Sequence, residues 1–180
     1  DLWPELPKAM KVITNPLVLW VMSVLEWLSY HSAHRIVSLA PGISEVILRR
    51  GVSLKRVCMI PNGCDLNFFA QQKPPWRPEG ISEEDLLAVF TGAHGLANGL
   101  DALLDVAYEL KRRGTTGIIL LLVGDGMLKP KLKQRAQNEG LNNVVFLEPM
   151  QKGQLMSLLK SADIGMQILA NIPAFYNGTS

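Results

Sequence analysis

Cysteine is scarce in this sequence: Cys58 and Cys64 are the only two in 180 residues, six apart, with no histidine near them. That excludes a disulfide framework and a zinc set, and leaves the reduced thiols of a cytosolic protein as the plain reading. An excess of one charge is also missing. Eighteen Lys and Arg stand against sixteen Asp and Glu, a net charge of +2, with a pI near 8.6. The surplus lies in residues 1–65, with seven basic and five acidic side chains, while residues 66–180 carry eleven of each. So small a bias does not describe a nucleic-acid-binding face. Metal-ligand spacing is absent too, with no D-x-D pair and no His/carboxylate cluster. No apolar run is long enough to cross a bilayer. The most apolar stretch, residues 17–30, reaches roughly 21 Å as a helix, against a hydrocarbon core of about 30 Å.

What is present is a sequence with 48% hydrophobic and 19% charged residues, enough apolar side chain for a packed core. Residues 17–30 (LVLWVMSVLEWLSY) predict a buried helix or, alternatively, an interfacial one anchored by Trp20 and Trp27, with Lys8, Lys11, His31, His34 and Arg35 around it. A strand is expected at 36–40, a helix from Pro41-Gly42 to Gly51, and a strand at 57–60 closed by Pro61-Asn62-Gly63. Residues 71–85 (QQKPPWRPEGISEED) lose apolar periodicity and gain prolines and charge, the composition of a linker.

Beyond the linker, strands and helices alternate. Strands are expected at 86–91, 118–123, 144–147 and 164–169, and helices at about 100–113, 127–138 and 151–161. Asp101 and Asp105 near the start of the first of these helices, and Lys111 to Arg113 at its end, agree with the helix dipole. Short connections between alternating elements give an α/β fold with a Rossmann-like, doubly wound parallel sheet.

Ligands of such sheets bind at the carboxyl ends of the strands. Two successive strands here end in glycine-rich loops, with Gly92, Gly95 and Gly99 in one and Gly124-Asp125-Gly126 in the other. Exposed amides and missing Cβ atoms favour phosphate or diphosphate there, although glycines also simply make tight turns. His94, inside the first loop, is a candidate donor to a diphosphate or a sugar hydroxyl. A dinucleotide site is an alternative, with Glu148 near the place of a ribose-binding acid. However, Lys129 replaces the third glycine of G-x-G-x-x-G, where its side chain is expected to obstruct helix–strand packing.

Blocks of residues carry a resemblance: Asp1-Leu2-Trp3-Pro4-Glu5, residues 33–42 (AHRIVSLAPG), residues 60–65 (IPNGCD), residues 91–100 (TGAHGLANGL), residues 122–126 (LVGDG), residues 162–165 (ADIG) and residues 177–180 (NGTS). In order and spacing the chain resembles family 4 glycosyltransferases, and within them the bacterial O-antigen and capsule branch that includes N-acetyl-fucosamine transferases. The resemblance implies a GT-B fold. Residues 1–70 would be the tail of the N-terminal, acceptor-side domain, 71–85 the linker, and 86–180 most of the C-terminal donor domain.

It further implies sugar transfer from a nucleotide diphosphate donor, UDP-linked in this branch, to a lipid-linked or glycan acceptor of bacterial surface polysaccharide. Transfer would retain anomeric configuration and need no metal or other cofactor, at the cytoplasmic side, with peripheral membrane contact through residues 17–30. Asp1 and His94 would be catalytic. Gly92, Gly95, Asn98 and Gly99 would cradle the diphosphate with Gly124, Asp125 and Gly126, Pro149 and Met150 would border the nucleobase, and Gly178, Thr179 and Ser180 would approach the donor sugar.

Two departures stand out. Ala93 and Asn98 occupy positions where many members carry Arg and Lys, and Gly178 takes the first place of a paired-Glu motif whose second glutamate would fall beyond Ser180. Both ends of the chain are therefore expected to be cuts, and the chain by itself to have little or no transferase activity. A nucleotide-sugar epimerase of the same fold, an NAD-type dinucleotide-binding domain and a non-catalytic binding module are the competing readings.

Overall fold

The computed structural model describes residues 4–71 and 73–176. The chain forms two compact units, one built on the residues up to Cys64 together with those from Asn171 on, the other on residues 65–170.

The first unit begins with α1 (Glu5–Ala9) and α2 (Pro16–Ser32). Asn15 starts α2, its side-chain oxygen accepting from the backbone N–H of Leu17 at 2.9 Å and of Val18 at 3.4 Å, with Pro16 preset for the first turn. At the other end Arg56 donates to the carbonyls of Tyr30, His31 and Ala33 and so closes the helix. The strands β1 (Ile36–Ser38) and β2 (Val57–Met59) pair in parallel across the crossover helix α3 (Pro41–Arg49), and Ile36, Ile47 and Val52 form a small core.

Helix α2 is not the buried helix that its composition predicts. Among the described residues none of its side chains is buried. Leu19, Met22, Ser23, Glu26 and Tyr30 turn inward and are half-buried. Leu17, Trp20, Leu25 and Trp27 stand 52–67% exposed on the outer side. Polar attachment explains this orientation. Arg50 pairs with Glu26 at 3.1 Å and with Glu5 at 3.0 Å. Burial raises the Glu26 carboxyl above its usual range against the pull of Arg50, and burial followed by the neighbouring Glu26 pushes the Tyr30 hydroxyl up to about 12.

The second unit runs through α4 (Leu66–Phe69), β3 (Leu86–Thr91), α5 (Asp101–Arg112), β4 (Ile118–Val123), α6 (Lys129–Asn138), β5 (Val144–Leu147), α7 (Lys152–Leu159) and β6 (Ile164–Met166). Its four strands are all parallel, in the order β5-β4-β3-β6. The continuous apolar runs of β3 and β4 are covered on both faces, as such runs require. Phe90, Leu120 and Leu122 pack on Leu100, Leu104, Leu132 and Ala136 on one side. Leu87, Val89, Leu121 and Val123 pack on Leu158 on the other. The α/β parallel sheet is the expected one, and β3, β4 and β5 have the expected bounds. β6 ends at Met166, short of the expected Leu169, and α6 and α7 are each shorter than expected.

The proline-rich segment 71–85 is strapped to this unit. The Arg77 guanidinium donates to the carbonyls of Ser82, Asp85 and Ser161, and pairs with Asp163 at 3.4 Å. The Trp76 N–H donates to Ser157 O at 3.0 Å, and Lys160 Nζ to Gln71 O at 2.6 Å. The compact unit accordingly begins at Asp65, ahead of the expected linker. After β6 the chain returns to the first unit, where α8 (Pro173–Tyr176) lies against α1.

Candidate functional site

The register of the sheet sets the site. Thr91 lies opposite Val123, and Val123 opposite Leu147, so three parallel strands end in one row and release their loops side by side. A cavity of about 320 Å³ opens there. It is lined by Thr91, Gly92 and Ala93 after β3, by Val123, Gly124 and Asp125 after β4, by Pro149 and Met150 after β5, and by Leu155 of α7. Gly92, Gly124, Asp125, Pro149 and Met150, expected around a nucleotide diphosphate, thus share one cavity.

The two glycine loops are stitched to each other. Gly92 N–H donates to Val123 O at 3.0 Å, His94 N–H to Asp125 O at 2.8 Å, and Leu128 N–H to His94 O at 3.0 Å. This stitching accounts for two glycines. Gly124 has φ +142°, and a Cβ there would fall inside the contact distance of Gly92 O. At Gly126 a Cβ would stand 2.6 Å from His94 O. Gly99, with φ +59°, is pressed against Ala170, where a Cβ would meet Cα at 2.7 Å. These three positions need glycine for loop packing, whatever the cavity binds. At Gly95 a Cβ would meet only open space. The backbone N–H groups of Ala93 and Gly95 have no acceptor among the described residues.

His94 does not fit the direct role expected of it. Its side chain is fully buried, 6.1 Å from the Phe90 ring and 6.2 Å from the edge-on Phe146 ring, and neither ring nitrogen has a partner among the described residues. Burial, then the charge of Lys129, lowers its pKa and keeps the imidazole neutral at pH 7. It lies beneath the loop and is absent from the cavity lining. Asn98 is turned to the loop itself, its amide donating to Ala93 O. Asp1, Gly178, Thr179 and Ser180 lie outside the described residues.

Sequence reasoning missed Lys129. The expected obstruction does not arise, because the side chain is long enough to run under the loops with its head group inside. Lys129 is 4% exposed. Its ammonium donates to Gly124 O at 2.7 Å and Leu147 O at 3.0 Å, and pairs with Glu148 at 2.9 Å. The hydrogen bond from Lys129 and the nearby Lys133 hold the Glu148 carboxyl below the usual carboxylate range. Both facts count against the dinucleotide alternative: the third-glycine position holds a buried lysine, and the acid suited to a ribose is already engaged.

A family model, glycosyl transferases group 1, matches residues 73–167. Among curated proteins, the chain is 22% identical over 138 residues to an Escherichia coli (strain K12) protein named for colanic acid biosynthesis, the glycosyl transferase WcaI. The match takes in 74% of this chain and 33% of that protein. Among solved structures it is similar to WaaG, a glycosyltransferase involved in lipopolysaccharide biosynthesis, with 18% identity and a TM-score of 0.62 over 76% of this chain and 38% of that one. It is also similar to Anabaena Alr3699/HepE in complex with UDP and glucose, with 18% identity and a TM-score of 0.63 over 81% of this chain and 40% of that one. The fold is that of GT-B glycosyltransferases. The chain spans about a third of the curated relative and about two fifths of these structures.

Proposed function

The chain belongs to the group 1 glycosyl transferases, and from that premise we propose that its cavity holds the nucleotide diphosphate of a sugar donor, UDP in the first instance. One observation carries the reading: three strand ends in register surround a cavity whose first loop offers unengaged amides. Peptide N–H groups at the end of a parallel sheet suit a diphosphate, and they gain strength as charge develops on the leaving group. The similarity to Alr3699/HepE, solved with UDP and glucose, supports UDP. Similarity to the colanic acid and lipopolysaccharide proteins supports a lipid-linked or glycan acceptor in bacterial surface polysaccharide synthesis, in the N-acetyl-fucosamine branch or near it.

In this reading the bond between the anomeric carbon and the diphosphate oxygen breaks, an acceptor hydroxyl oxygen bonds to that carbon with retained configuration, and the hydroxyl proton leaves with the departing diphosphate. The amides and glycines of the loops at Gly92–Gly95 and Gly124–Gly126 meet the diphosphate without a metal. Pro149 and Met150 border the base, and Gly178, Thr179, Ser180 and Asp1 are assigned to the sugar and acceptor. Binding is the readout for a chain that spans a third of its curated relative, and the chain by itself is expected not to turn over. Isothermal titration with UDP, with NAD as competitor, tests the site. Saturable UDP binding that NAD does not displace supports the reading, and absence of UDP binding refutes it.

We place the reaction on the cytoplasmic side, at the membrane surface. No helix among the described residues is long and apolar enough to cross a membrane. The support for surface contact is the outer face of α2, with Trp20 and Trp27 exposed, and the exposed Lys8, Lys11, His34 and Arg35 that flank the helix in sequence. Flotation with vesicles containing anionic lipid is expected to retain the protein. Failure to float refutes the membrane contact.

A further inference from the structure

Lys129 poses a physical question that nucleotide binding by itself does not answer. A buried ammonium is costly unless it is fully paired, and an apolar side chain of similar volume commonly fills such a place at no loss of stability. Here the three N–H donors of the ammonium meet three acceptors: Gly124 O, Leu147 O and Glu148 Oε2. Two of these are main-chain carbonyls: Gly124 follows β4 and itself lines the cavity, and Leu147 ends β5 two residues before the lining Pro149.

Peptide planarity gives the bond to Gly124 O a consequence. In a trans peptide the C=O and the following N–H point in opposite directions. With Gly124 C=O drawn toward the ammonium, the Asp125 N–H faces away from it. Leu147 C=O also accepts from the Gly124 N–H at 3.3 Å, so the sheet ladder already sets that peptide. The Asp125 N–H has no acceptor among the described residues. A peptide next to a glycine at φ +142° turns over at little steric cost. Its orientation therefore depends on what holds its carbonyl.

Resting on the nucleotide-site reading above, we infer that Lys129 is a positioning residue. It touches no ligand. It fixes the peptide Gly124–Asp125 so that its N–H is offered to the bound nucleotide, and it ties the loop after β4 to the end of β5. Glu148 balances its charge, so its contribution is geometry and not attraction of the diphosphate.

The test uses the 180-residue chain and its variants Lys129→Met, Lys129→Gln and Glu148→Gln, with UDP and uridine as probes at low and high salt. Lys129→Met is expected to weaken UDP by about tenfold or more at both salt levels, the size of effect that loss of a supporting contact has elsewhere, and uridine, which lacks the diphosphate, by less. Lys129→Gln is expected to fall in the same direction and serves if the Met variant does not fold. Glu148→Gln, which leaves both carbonyl bonds in place, is expected to bind within about threefold of wild type, since the lost partner is solvent-exposed.

Amide hydrogen exchange without ligand supplies a readout independent of binding. Exchange at the hydrogen-bonded amides of Gly92, His94 and Gly124 is expected to quicken in Lys129→Met and not in Glu148→Gln. Unchanged binding together with unchanged exchange in the Lys129 variants overturns the inference. So does a loss of UDP binding that disappears at high salt, which would mark a charge effect. If wild type binds neither probe, the nucleotide reading fails, and the exchange data still decide whether Lys129 holds the two loops.

Discussion

A substitution of Gly124 by alanine separates the loop-stitching account from a simple tight-turn account. The added Cβ would lie against Gly92 O and has to retreat by about an ångström to reach the 3.0 Å below which such contacts do not occur. The obstacle is backbone, so no side-chain rotation relieves it. Moving the loops apart breaks the bonds from Gly92 N–H to Val123 O and from His94 N–H to Asp125 O, each worth about 1 kcal/mol. Holding a residue with a Cβ at this positive φ costs roughly 1–2 kcal/mol more. The total is about 3–4 kcal/mol.

At roughly 4–8 °C per kcal/mol for a unit of this size, the melting temperature should fall by well over about 10 °C. Gly95→Ala is the control, since its Cβ meets nothing within 4 Å and its φ of −107° suits any residue. Chemical denaturation followed by circular dichroism, with both variants and wild type, reads the difference. If Gly124→Ala and Gly95→Ala are equally stable, the two loops are not locked together and the account of the site fails.

The second unit was legible in the sequence because its signals agree at every level. The run Ile118–Val123 could only be a strand covered on both faces, and α5 carries an acid in its first turn and bases in its last. Two things were not legible. Helix α2 shows its composition but not which side faces inward, since that is decided by Arg50, far along the chain, pairing with Glu26. Lys129 reads from sequence as an intruder at a glycine position. Its three acceptors come from two separate strand ends, and only the β4–β5 register brings them together. His94 was misplaced for a similar reason: a loop histidine is expected at the surface, and only the packing of Phe90 and Phe146 closes it in.

Three further outcomes are expected. Leu121→Ala, at a fully buried position in the central strand, should cost about 2–5 kcal/mol by urea denaturation. The Glu148 carboxyl, held below its ordinary 4.5 chiefly by Lys129, adds stability that is present above pH 4.5 and lost as pH falls through its folded value. Acid unfolding of Glu148→Gln should therefore be the less steep of the two over that range, and equal slopes would contradict the assigned pairing. Cys58 and Cys64 are free and exposed, so a thiol reagent should titrate two groups in the native protein without denaturant.

The orientation of α2 has a consequence for how the two units respond to solvent. In the second unit, unfolding uncovers the leucines and valines of two core layers, so denaturant and heat act on a large change in apolar hydration. In the first unit much of the apolar surface of α2 is hydrated before unfolding starts, and what is released is mainly polar attachment. Per residue, the first unit should unfold with a shallower denaturant slope and a smaller heat-capacity step. Whatever covers the outer face of α2 should restore both, so calorimetry would register the arrival of that partner as a change in the shape of the melting curve as well as in its midpoint.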